Sequence, residues 1–117
     1  MTYVDGFVAA VPAENKDAYL EHARVTGPVF KKHGALRVMD NWGDEVPDGD
    51  VTSYPMAVKA KPGEVIVFSW IEWPSKEARD KGMEACMADP VFNDDSMEMP
   101  FDGKRMLIGS FETILEV

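Results

Sequence analysis

The sequence predicts an α+β domain whose elements run β-α-β, a loop, then β-α-β, building an antiparallel sheet with its helices on one face. Three observations carry that expectation. The run Val65 to Trp73 is filled with β-branched and aromatic residues, as a packed, pleated strand prefers, and Pro74-Ser75 then stops it and opens a helix. The first third of the chain repeats the plan, a strand-like run followed by a helical stripe. Finally, both parities of the 65–73 run are largely apolar, so both faces of that strand need a cover.

In chain order, Tyr3 to Val11 reads as the first strand, with Val4, Val8 and Ala10 on one parity and Tyr3, Phe7 and Ala9 on the other. Pro12 ends it, and Asn15 or a near neighbour is expected to cap the next helix. There Tyr19, Ala23, Thr26 and Phe30 recur on one face; Gly27-Pro28 inside the pattern is expected to kink or break it. Lys31 and Lys32 occupy the last turn, and His33-Gly34 terminates the helix, with Gly34 just past its end. Ala35 to Asp44 reads as the second strand. The stretch Asp44 to Pro62, rich in Pro, Gly and Asp, is a long excursion in which Thr52 to Lys59 is expected to be partly extended.

The third strand sends Val65, Val67, Ser69, Ile71 and Trp73 one way and Ile66, Phe68, Trp70 and Glu72 the other. Ser75 is a natural cap for a helix beginning at Lys76. Ala78, Gly82, Ala85 and Cys86 form a narrow face that lets this helix lie close on a sheet, while Arg79, Asp80, Lys81 and Glu84 supply its wet side. Asp89-Pro90 closes it. Val91 to Gly103 is an acidic, Met-containing connection with room for a short helical turn, and Met106 to Val117 reads as the last strand. This order is the ferredoxin-like arrangement. Its sheet has helices on one face only, so an apolar second face implies a homodimer in which two such faces bury each other.

The chain's 117 residues make one domain, residues 1–117, with a modest core. Its formal charge of −9 repels phosphate backbones and anionic bilayers, so neither a nucleic-acid nor a membrane partner is expected. There is no signal-peptide pattern and no long apolar run, and the single cysteine, Cys86, reads as a core thiol of a reducing compartment; the expected location is the cytoplasm.

Few residues invite chemistry. His22 and His33 would lie about 16 Å apart on a straight helix, too far for shared metal ligation. With no HExxH, HxH or cysteine pair, no metal and no cofactor are expected. His33 is expected to be a helix-end cation. Asp40, Asn41 and Trp42 cluster near a strand end; the plain reading is a solvated edge, the functional one that Asp40 and Trp42, sharing a parity, project together into a pocket. Phe68 and Trp70 read as core, dimer interface or ligand wall. Arg105, in the turn Asp102-Gly103-Lys104-Arg105, is an anion binder or, more simply, an ion-pair partner for the excess acids. His33, Asp40, Asn41, Trp42, Phe68, Trp70 and Arg105 are therefore the candidate ligand-site residues. No phosphate loop, dinucleotide fingerprint or nucleophile elbow occurs.

Three blocks, WGDEVPDG (Trp42 to Gly49), FSWIEWPSKEARDKG (Phe68 to Gly82) and MPFDGKRMLIGSFE (Met99 to Glu112), together with Asn15, Tyr19 and His33-Gly34-Ala35, resemble the DUF1428, or YbaA-like, family of small bacterial proteins. The resemblance implies a dimeric α/β barrel of the ferredoxin-like class and brings no established activity. A label tying some members to signal-recognition-particle RNA finds no physical support in so acidic a chain.

The functional expectation is a homodimer that binds a small apolar or aromatic ligand between sheet and helices. By superfamily analogy the alternative is a cofactor-independent monooxygenase, which needs a dry pocket, an aromatic wall and one polar group. A haem enzyme would require His33 as axial ligand. A structural or regulatory partner with a filled barrel completes the set.

Overall fold

The computed structural model describes residues 1–117. Its strands are β1 (Tyr3–Pro12), β2 (Arg37–Trp42), β3 (Glu64–Trp73) and β4 (Leu107–Glu112), and its helices α1 (Lys16–Lys32), α2 (Tyr54–Ala57) and α3 (Lys76–Ala88). The sheet order is β2-β3-β1-β4 with every neighbouring pair antiparallel. This is the ferredoxin-like α+β fold.

The register explains how the two faces divide. Tyr3 lies opposite Trp73, Phe7 opposite Ser69 and Val38 opposite Ile71, and these residues meet Ala35, Phe30 and Met83 beneath α1 and α3. Trp73 is wholly buried there, its indole Nε1 donating to Asp5 Oδ2 at 3.0 Å. Asp5 is itself 1 % exposed, yet its carboxylate also accepts from Arg79 Nε and Nη2 and from Ser110 Oγ at 2.6 Å. A buried carboxylate is tolerable only when saturated in this way. Arg79, read from periodicity as part of the wet face of α3, thus turns to the sheet instead, because the buried Asp5 demands a cation.

The opposite face carries Val4, Val8, Ile66, Phe68, Trp70, Leu107 and Phe111. At one end the 43–63 excursion folds over it: Val58, Val46 and Ala60 cover Val8, Ala10 and Ile66. The segment expected to be partly extended instead forms α2, whose start is capped by Ser53 Oγ accepting from Met56 N at 3.1 Å. The rest of this face stays open, with Phe68 42 % and Phe111 61 % exposed. Phe111 folds across the facing pair Gly6 and Gly109, within 3.3 Å of where a Gly6 Cβ would sit, an aromatic covering two strand glycines.

Three further expectations change. Helix α1 runs unbroken through Pro28, since Gly27 has no Cβ to crowd the proline ring. Asn15 makes no capping bond; its Nδ2 donates to Pro100 O at 3.0 Å and ties the connection after α3 to the start of α1. β4 ends at Glu112, with 113–117 following outside the sheet. By contrast Ser75 does cap α3, accepting from Ala78 N at 3.1 Å, and Gly34 ends α1 with φ +114°.

Candidate functional site

Two concavities flank the sheet. The larger, about 860 Å³, is a trough over the open face, floored by Val4, Phe68, Trp70, Leu107 and Phe111. It is broad and mainly apolar. The smaller, about 180 Å³, lies inside the fold between the sheet, α1 and the 90–106 connection. Its walls include the rings of Phe7, Tyr19, Phe30, Phe92 and Phe101, with Met99 and Met106. Tyr19 and Phe101 sit 5.9 Å apart between centroids, and Phe30 and Phe92 5.3 Å, so the aromatic wall is packed on itself.

The polar groups of this cavity come from two elements. Asp40 and Ser69, directly opposite each other on β2 and β3, point to the helix face, where α1 brings Tyr19 and His22 against them. Tyr19 Oη donates to Asp40 Oδ1 at 2.6 Å. Burial, then the Asp40 hydrogen bond and charge, push the Tyr19 hydroxyl well above its ordinary pKa, against a weaker opposing pull from Ser69. Burial lowers the pKa of His22, although Asp40 acts in the opposite sense. At neutral pH the site therefore holds a neutral phenol and a neutral imidazole beside the Asp40 carboxyl.

The mouth lies between α1 and β2. Ala23, Gly27, Val38 and Asp40 border both the inner cavity and an outer groove of about 530 Å³. A Cβ built on Gly27 meets nothing within 4 Å. Small residues on α1 thus leave a gap beside Asp40.

The seven residues singled out from sequence do not converge. Asp40 and Trp70 both border the inner cavity, and Trp42 stands beside it, its ring 6.4 Å from that of Tyr19 and beneath Lys16 Nζ at 5.5 Å. Asn41 alternates to the other face, where its Nδ2 donates to Phe68 O at 2.9 Å. Phe68 lies edge-on to Trp70 on the trough floor, with Trp70 Nε1 held by Glu72 Oε2 at 2.9 Å. His33 is bonded to Asp89 Oδ2 at 2.9 Å. Arg105 makes a two-pronged pair with Glu64 at 2.8 and 2.7 Å and also binds Asp102 and the carbonyl of Lys59, so its donors are spent on tying the excursion to the last strand. No three His, Cys, Asp or Glu side chains gather as a metal would need, and Cys86 is buried with its thiol pKa raised, chiefly by burial.

Tyr19 and His22 were not among the seven. Tyr19 is legible in the sequence as a member of the stripe Tyr19, Ala23, Thr26 and Phe30 and among the residues that carry the family resemblance; the further signal is a phenol on a mainly small or apolar helix face.

Residues 2–103 match the model of a family described as a protein of unknown function, DUF1428. The chain belongs to the DUF1428 family. Within the family it is 55 % identical over 116 residues to the uncharacterized protein YbaA of Escherichia coli K12, an alignment covering 99 % of each chain, and equally similar to YbaA of Shigella flexneri. Among solved structures, a dimeric ferredoxin-like protein from an uncultured marine organism superposes with a TM-score of 0.65 at 13 % identity, over 99 % of this chain and 98 % of its own. That likeness concerns the fold. The DUF1428 relatives are themselves uncharacterised, so the family supplies no reaction, and no helix of this chain is long and apolar enough to cross a membrane.

Proposed function

We propose that this DUF1428 protein is a homodimeric small-molecule-binding protein whose ligand enters the cavity between α1 and the sheet. The observation that carries the reading is the Tyr19–Asp40 pair on the wall of a preformed aromatic cavity. A side-chain-filled core would have no such void. Ligand sites are typically concave and apolar with a few convergent polar groups.

The dimer is supported by the trough. Two central strands of ten residues and two edge strands of six present a face of roughly 500 Å², a large part of the ~800 Å² per partner of a standard interface. Of the two carboxylates lining the trough, Glu72 is already satisfied by Trp70 and Arg37, and Glu116 lies on the segment after the last strand. The marine neighbour of the same fold is described as dimeric. The buried free Cys86 supports a reducing, cytoplasmic setting.

A second reading, an enzyme of the cofactor-independent monooxygenase kind, is favoured by the same hydrogen-bonded Tyr19–Asp40 pair, which can receive a proton from a bound substrate. Native mass spectrometry of freshly purified protein tests the first reading. A dimer of the 13.0 kDa chain with reproducible extra mass is expected. A main species at the monomer mass at micromolar concentration refutes the dimer.

A further inference from the structure

We infer that the cavity is built for small organic amines in their protonated form, with Asp40 as counter-ion and the aromatic rings around the apolar body. This rests on the reading of the cavity as a ligand site and adds the chemistry of the ligand.

The first ground is the state of Asp40. It enters none of the chain's ion pairs, whereas Asp5, Glu64 and Glu72 on the two central strands each do. Tyr19 occupies Oδ1, leaving Oδ2 to accept. Inside the cavity nothing offsets its charge: the one basic group there, His22, has its pKa lowered by burial. Two cations, Lys31 and Arg37, border the outer groove together with Asp40, and neither is bonded to it. Lys16 lies over the Trp42 ring, Arg37 is held by Glu72 at 2.9 Å, and Lys31 is exposed at the end of α1.

The second ground is position. Asp40 stands at the mouth, bordering both the outer groove and the inner cavity. An ammonium bound there keeps part of its hydration, avoiding the full cost of burying a charge, while its apolar end points inward. The third is the lining. Phe7, Tyr19, Phe30, Phe92 and Phe101 offer apolar faces and edges to the hydrocarbon body of a ligand whose charged end stays at the mouth. About 180 Å³ holds roughly one aromatic ring, judging by the ~150 Å³ cavity that takes up benzene. A net charge of −9 raises the local concentration of cations and disfavours anions.

The test compares three single-ring probes of nearly equal size at pH 7 by isothermal titration calorimetry: benzylamine, benzyl alcohol and benzoate. A charge-assisted hydrogen bond is expected to make benzylamine bind about tenfold or more tighter than benzyl alcohol, with benzoate weakest. In Asp40→Asn, a substitution at an exposed side chain, benzylamine should fall to within about threefold of benzyl alcohol while benzyl alcohol itself is unchanged. Benzyl alcohol or benzoate binding as tightly as benzylamine, or a preference that survives Asp40→Asn, overturns the amine inference and leaves the cavity reading standing. Binding of none of the three overturns both.

Discussion

Gly82 is where α3 touches the core, and replacing it with alanine sets two well-understood effects against each other. In the middle of a helix, Gly→Ala ordinarily stabilises by about 1 kcal/mol. Here the new Cβ would lie 2.3 Å from Trp73 Cζ3 and 2.7 Å from the carbonyl oxygen of His33. Neither neighbour can yield easily. Trp73 is wholly buried and fixed by its bond to Asp5, and His33 is main chain at the end of α1. Overpacking of a rigid core costs about 3 kcal/mol at the upper end of its usual range, so the net expectation is a loss of about 2 kcal/mol, or about 8 °C in Tm. Gly27→Ala is the control: the same change in α1, with nothing within 4 Å of the new Cβ beyond the adjoining chain. Crowding of the Pro28 ring offsets part of its helical gain, leaving a change of about 0.5 kcal/mol or less. Thermal and urea unfolding, followed by far-ultraviolet circular dichroism and tryptophan fluorescence at one fixed protein concentration, measure both. A Gly82→Ala protein as stable as the parent, or no worse than Gly27→Ala, refutes the close packing of α3 on Trp73.

The Arg105 hydrogen bonds hold the Glu64 carboxyl down to about 2, from 4.5. Because the folded-state pKa is the lower one, this stability is present above pH 4.5 and lost as pH falls toward 2, so the gap in urea midpoint between the parent and Glu64→Gln should narrow over that window. A gap that stays constant would contradict the pairing. Tyrosinate absorbance, taken as the difference between the parent and Tyr19→Phe, should place Tyr19 ionisation above its ordinary 10.0, and Asp40→Asn should bring it down. Phe68→Glu puts a charge at the centre of the open face where the side chain is already 42 % exposed; sedimentation should show a monomer with an unchanged dichroism spectrum. A Phe68→Glu dimer of parental strength would move the interface elsewhere.

The fold was legible because its signals are local. Ser75 and Asp89-Pro90 bound α3 as their chemistry dictates, and the period-2 pattern of β3 assigned Trp73 and Ile71 to one face and Phe68 and Trp70 to the other. What local pattern could not carry was long-range pairing. Arg79 reads as solvent-facing until Asp5, far away in sequence, is known to be buried beside it. Pro28 reads as a break because the tolerance conferred by Gly27 depends on the pair, and residues 52–59 read as partly extended because a four-residue helix after Ser53 is too short to show a helical period. At the site, parity pairs Asp40 with Trp42, while Asn41, grouped with them as a candidate, alternates to the other face. The partner that gives Asp40 its meaning, Tyr19, comes from a different element, and neither its place in a helical stripe nor the family resemblance points to that pairing.

Amide chemical shifts would decide between the inner cavity and the trough. With ¹⁵N-labelled protein titrated with benzylamine, shifts concentrated at Tyr19, Ala23, Gly27, Asp40 and Phe101 are the predicted result. Shifts confined to Phe68, Trp70 and Phe111 on the open face, or no shifts at millimolar probe, would contradict the assignment of the ligand site.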